Sequence, residues 1–118
     1  MRTPEFFEKQ KIKKFLDNIR AWHFSPFMAG MGKAGIPDII ACYPLTITSD
    51  MVGMRIGVFI GVEVKRDGKE PTVLQGNRIT DIQQAGGFAV WGTADRVIPQ
   101  LRKLPYAPDA IEKTDAAG

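Results

Sequence analysis

Apolar side chains recur with helical spacing near the start of the chain. Ile12, Phe15, Ile19 and Trp22 stand at i, i+3, i+7 and i+10, while Lys9, Lys11, Lys13 and Lys14 fall mostly off that stripe, which predicts a helix from Pro4 to about Trp22. The period then shortens. Pro37 to Tyr43 reads as one strand and about Arg55 to Lys65 as a second, joined through Thr48-Ser49-Asp50-Met51-Val52-Gly53, with Pro44-Leu45-Thr46-Ile47 as a short irregular extension. Asp67-Gly68-Lys69-Glu70-Pro71 breaks the sheet. Thr72 caps the following helix with Gln75 as its capping-box partner, and Gly86-Gly87 ends it. Phe88 to Trp91 predicts a further strand, and Thr93 caps a short helix to about Lys103 despite Pro99. Beyond Leu104, Pro105, Pro108 and small polar residues show no period, so 105–118 read as a loose tail on a domain spanning 1–104.

Within the second strand the even positions are Ile56, Val58, Ile60, Val62 and Val64, and the odd ones Gly57, Phe59, Gly61, Glu63 and Lys65. Alternation sends the two sets to opposite faces, so Glu63 and Lys65 point the same way beside the small Gly61. Asp38 can meet them if the preceding strand pairs alongside. Two carboxylates and an ammonium then converge, a set whose oxygens suit Mg²⁺ or Mn²⁺ and whose lysine is left for phosphate charge. Taken alone, Glu-x-Lys on a strand is commonly a solvated surface pair.

Other residues carry two readings each. Glu8 lies one turn before Ile12 on the helical stripe, facing the domain, or it occupies a first turn that favours negative charge in any helix. Gln75 precedes Ile79 and Ile82 at i+4 and i+7, on the sheet-facing side of its helix, and also suits the cap; the roles are compatible.

Gly35-Ile36-Pro37-Asp38-Ile39-Ile40, Gly61-Val62-Glu63-Val64-Lys65, Thr72-x-x-Gln75 and Ala85-Gly86-Gly87 follow one another in an order that resembles the PD-(D/E)xK nuclease superfamily. The stretch from about Glu8 to Trp91 is most similar to its virus-type replication-repair nuclease (VRR-NUC) family, in the stand-alone form. The resemblance implies a restriction-endonuclease-like core, a mixed sheet flanked by helices in αβββαβ order with an antiparallel hairpin, and metal-dependent hydrolysis of DNA phosphodiesters. It implies Asp38, Glu63 and the Val64 carbonyl as ligands of Mg²⁺ or Mn²⁺, Lys65 as the group that orients the nucleophile, and Gln75 with a first-helix glutamate, Glu8 in preference to Glu5, nearby. Apart from the resemblance, the basic residues Lys33, Arg66, Lys69 and the lysines of the first helix are expected to contact the DNA backbone. Single-domain members resemble Holliday-junction resolvases, implying a homodimer on branched DNA and a setting such as a phage-infected bacterial cell.

Composition narrows the alternatives. A length of 118 residues bounds one core, and 44% hydrophobic with 25% charged residues is ordinary for a globular domain. No apolar run approaches the ~20 residues of a membrane span, and Met1-Arg2-Thr3-Pro4-Glu5 lacks a signal-peptide pattern, so an intracellular protein is expected. The lone Cys42 excludes an internal disulfide and a cysteine zinc cage, and reads as a small buried side chain. A net charge of +3 is compatible with a polyanion partner without identifying one. Ala29 to Gly35 superficially resembles a phosphate-binding loop, but Phe27 replaces its first glycine and Ala34 its hydroxyl, so no nucleotide cofactor is expected. Lys33 in this stretch suits a DNA backbone instead. His23, between Trp22 and Phe24, reads as packing or surface before any role at DNA. A catalytically idle nucleic-acid-binding module, a monomeric flap or nicking nuclease, and a phosphodiesterase for other substrates remain open.

Overall fold

The computed structural model describes residues 2–27 and 35–105. Over these the chain forms α1 (Pro4–Asn18), β1 (Trp22–Phe24), β2 (Ile40–Cys42), a 3-10 turn (Ser49–Met51), β3 (Ile60–Val64), α2 (Val73–Gln84), β4 (Phe88–Gly92) and α3 (Ala94–Leu101), a mixed α/β arrangement. The 105–118 tail lies outside the described residues from position 106 onward.

Helix α1 starts where the Thr3 hydroxyl accepts the Phe6 N–H at 3.2 Å. Pro4 at its head sacrifices nothing, because an N–H there has no intrahelical acceptor. The helix ends at Asn18 rather than near Trp22. Arg20 adopts φ 62°, and the N–H groups of Arg20 and Ala21 close onto the carbonyls of Asp17 and Leu16, each at 3.0 Å. That pair of bonds is the usual left-handed helix stop, made here without a glycine. The chain therefore leaves the helix early, and Trp22 belongs to a strand.

Two small sheets result. β1 pairs antiparallel with β2, Trp22 opposite Cys42 and Phe24 opposite Ile40. β3 pairs parallel with β4, from Ile60 opposite Phe88 to Val64 opposite Gly92. A parallel pair needs a crossover, and α2 supplies it. The expected hairpin between the strands carrying Asp38 and Glu63 is not formed among the described residues. β2 has β1 as its ladder partner and β3 has β4. The stretches on either side of the 3-10 turn instead flank a cleft of about 570 Å³, lined by Tyr43, Leu45, Ile47, Ile56, Val58 and Phe59.

The sheets meet through a few contacts. The Trp22 and Phe59 rings lie 5.8 Å apart, edge to face, and the buried Cys42 thiol donates to the Ala85 carbonyl at 3.7 Å. Helix α2 ends there because Gly86, at φ 94°, directs its own N–H to Gln83 O and that of Gly87 to Ile82 O, the double-bonded stop predicted from Gly86-Gly87. A Cβ on Gly87 would lie 2.7 Å from Ile82 Cγ2 and 3.0 Å from Cys42 Sγ, so this junction closes only over a residue without a side chain. Leu16, Ala21, Cys42, Ile82, Ala85, Ala89, Val90 and Val97 form the buried apolar set among the described residues. By contrast, Ile60, Val62 and Val64 of β3, which begins at Ile60 rather than near Arg55, are exposed, as are Leu45, Ile47, Val52, Met54, Ile56 and Val58 outside any strand.

Candidate active site

The odd-numbered face of β3 carries the best-organised polar cluster. Gly61 comes first: a Cβ there would stand 2.9 Å from Ile82 Cδ1, so α2 lies directly on this face. Two residues on, Glu63 meets the first turn of the same helix. Gln75 Nε2 donates to Glu63 Oε1 at 2.8 Å, and Lys65 Nζ lies 3.7 Å from the same oxygen, with the Lys65 and Glu63 side chains only 21% and 33% exposed. Alternation along the strand thus puts acid and lysine together, as their spacing predicts.

Gln75 also closes the capping box. Its Oε1 accepts from the Thr72 N–H at 2.9 Å, while its own N–H donates to Thr72 Oγ1 at 3.2 Å. One amide group thereby does both things the sequence allows: the oxygen caps the helix and the nitrogen fixes Glu63. The Gln75 and Lys65 contacts both fall on the same oxygen, Oε1, of Glu63.

The other expected site residues stand apart from this cluster. Asp38 lies before β2, not inside a strand paired to β3, and its carboxylate is 64% exposed and 3.7 Å from Lys9 Nζ. Lys9 also stands 3.6 Å from Glu5 one turn back on α1, so it bridges two acids. Lys9 lies off the apolar stripe, and its i, i+4 spacing from Glu5 is the sequence signal for the Glu5 pair. Glu8 does not face the domain. Its side chain is 67% exposed and pairs with Lys11 at 3.6 Å, because Ile12 and Phe15 on the same stripe are themselves exposed and Leu16 supplies the buried contact of α1. Arg66 and Lys69 are exposed just beyond β3, and Lys33 lies outside the described residues. His23 bonds to Asp17 Oδ1 at 2.6 Å at the end of α1, which accounts for it structurally.

As donors, the Asp38 and Glu63 carboxylates and the Val64 carbonyl suit a hard divalent ion. They are not gathered into one cage: among the described residues no group of three or more His, Cys, Asp or Glu side chains is placed to hold a metal. The firm geometry is Gln75, Glu63 and Lys65.

Comparison of the chain with protein-family models, with curated proteins and with solved structures returned no match. Among the described residues no helix is long and apolar enough to cross a membrane.

Proposed function

We propose that this chain is a metal-dependent DNA endonuclease of the VRR-NUC type, selective for branched DNA in the manner of a Holliday-junction resolvase and acting as a homodimer. The carrying observation is the convergence of Gln75 and Lys65 on Glu63 at 2.8 and 3.7 Å at the start of α2. A surface ion pair has no need of a third group fixing its acid from a neighbouring helix. Glu63 and the Val64 carbonyl, joined by Asp38 once its carboxylate is brought to them, would hold Mg²⁺ or Mn²⁺, which would supply a water of lowered pKa and polarise the phosphoryl oxygen. Lys65 neutralises charge that grows on the phosphate in the transition state. Gln75 keeps Glu63 in one rotamer so that its carboxylate is already aimed before substrate arrives. The exposed Ile60, Val62 and Val64 of β3 support the homodimer, since an apolar patch of this kind marks an interaction surface.

A second reading has its own observation. Asp38 is paired with Lys9 and lies before β2, outside the β3–β4 sheet that carries Glu63, as suits a domain of this fold that binds nucleic acid without cutting it.

The two are separated by incubating the protein with labelled four-way junctions, flaps, single strands and plain duplex, in Mg²⁺, Mn²⁺ or chelator. The nuclease cuts a branched substrate only with metal, and Glu63→Gln lowers the rate by about a thousandfold or more, in keeping with the loss of electrostatic terms of several kcal/mol. Binding with no cleavage in any metal establishes the idle module. Cleavage that Glu63→Gln leaves untouched moves the site elsewhere.

A further inference from the structure

The residue paired with Glu63 across the parallel ladder is Trp91. Paired positions in this sheet project to one face: a Cβ on Gly61 would stand 3.8 Å from the Ala89 Cβ opposite it. Trp91 therefore shares the face of Glu63, one strand spacing of ~4.8 Å away. On its ring lies the guanidinium of Arg96, 5.2 Å from the centroid, within the range of a cation–π contact.

Glycine makes this reach possible. Gly92 follows Trp91, and a Cβ there would lie 3.2 Å from Arg96 Cβ and 3.5 Å from Arg96 Cδ. The first turn of α3 thus packs its arginine stem against bare backbone, which leads the head back over the tryptophan. Lys65 and Lys9 near the candidate site are both paired with carboxylates. Arg96 is exposed and makes no ion pair among the described residues. Stacking uses the flat face of a guanidinium and leaves its N–H edges free, the geometry that grips a phosphate with two parallel hydrogen bonds.

We propose that Arg96, braced on Trp91, is a phosphate-binding arm of the site, receiving a phosphodiester of the bound DNA strand that neighbours the one at Glu63 and Lys65. This rests on the nuclease reading for its ligand, and it assigns the site a contact on β4 and α3 beyond the β3 and α2 residues.

The test is binding of a labelled four-way junction and a labelled single strand by fluorescence anisotropy, in chelator so that nothing is cut, over a series of salt concentrations. Arg96→Gln is expected to weaken binding of both about tenfold and to reduce the slope of log affinity against log salt by about one, the signature of one lost phosphate contact. Arg96→Lys keeps the slope but recovers only part of the affinity, because the planar fork is gone. Arg78→Gln, whose arginine is tied to Asp81 at 2.6 Å on α2, changes neither. Thermal melts establish that each variant is folded, and Arg96→Lys decides the matter should Arg96→Gln be unstable. Wild-type binding with unchanged affinity and slope in Arg96→Gln overturns the arm while leaving the nuclease reading intact. Failure of the wild type to bind any DNA overturns both.

Discussion

Gln75 and Glu63 are joined by a 2.8 Å bond from the amide nitrogen of one to a carboxylate oxygen of the other, while the amide oxygen of Gln75 is committed to the Thr72 N–H. Stability and site geometry therefore meet in a single side chain, and two substitutions pull them apart. Gln75→Glu retains an acceptor for Thr72, since glutamate serves equally in a capping box, but sets a second carboxylate against Glu63. Its melting temperature should stay close to wild type while single-turnover cleavage falls by at least ~10-fold, through loss of the fixed Glu63 carboxylate. Gln75→Ala should lose both, with about 1 kcal/mol of stability gone along with the cap. Wild-type cleavage by Gln75→Glu would make the bond structural only.

The α2 segment is where the sequence was most informative. Thr72, Gln75 and Gly86-Gly87 each have one local job, and local chemistry is legible without knowing what lies across the sheet. The same holds for Glu63 and Lys65, whose meeting requires only that the strand be a strand. Strand pairing is different in kind. Nothing in the alternation of β3 says which neighbour it takes, and the βαβ unit with β4 accounts for one edge while β2 is paired with β1. Asp38 was placed by that pairing and so missed the cluster. Trp22 fits α1 by spacing because i+10 suits a helix as well as a strand, and the stop at Arg20 carries no glycine to announce it. The Trp91–Arg96 contact was hidden because it depends on the register between two strands and on a helix folding back over Gly92.

The exposed Ile60, Val62 and Val64 of β3, with Ile56 and Val58 just before them and Ile47, 75% exposed, across the cleft, should be covered in the proposed homodimer, by a two-fold contact in which the same patch serves both copies. Val58→Lys introduces a charge at the exposed approach to β3, before the strand that carries Glu63 begins. Sedimentation should find wild type dimeric at micromolar concentration and Val58→Lys monomeric, with unchanged circular dichroism. A wild type that is strictly monomeric with and without junction DNA would remove the resolvase form of the proposal.

Cys42 gives a test of the core that needs no substrate. Burial pushes its thiol above the ordinary range, so the folded chain holds the proton at pH values where the unfolded chain has already released it. Stability from this group is complete below about pH 8.5, the ordinary thiol value, and declines as pH rises beyond it. Urea unfolding of wild type and Cys42→Ala between pH 7 and 10 should show a constant difference up to about pH 8 and a falling wild-type advantage above it. Parallel curves across the range would contradict a buried neutral thiol.

Gly61 carries a consequence for how finely the site is built. Ile82, near one end of α2, lies where a methyl group on Gly61 would need to be, and Gln75 near the other end reaches Glu63 with a bond of 2.8 Å. The helix behaves as a lever laid across the strand with this glycine under it. Adding one carbon lifts the lever by a few tenths of an ångström unless Ile82 turns aside, and an amide hydrogen bond has little slack beyond ~3.2 Å. The aim of a carboxylate is thus set two residues away, by the smallest side chain the chain could place there.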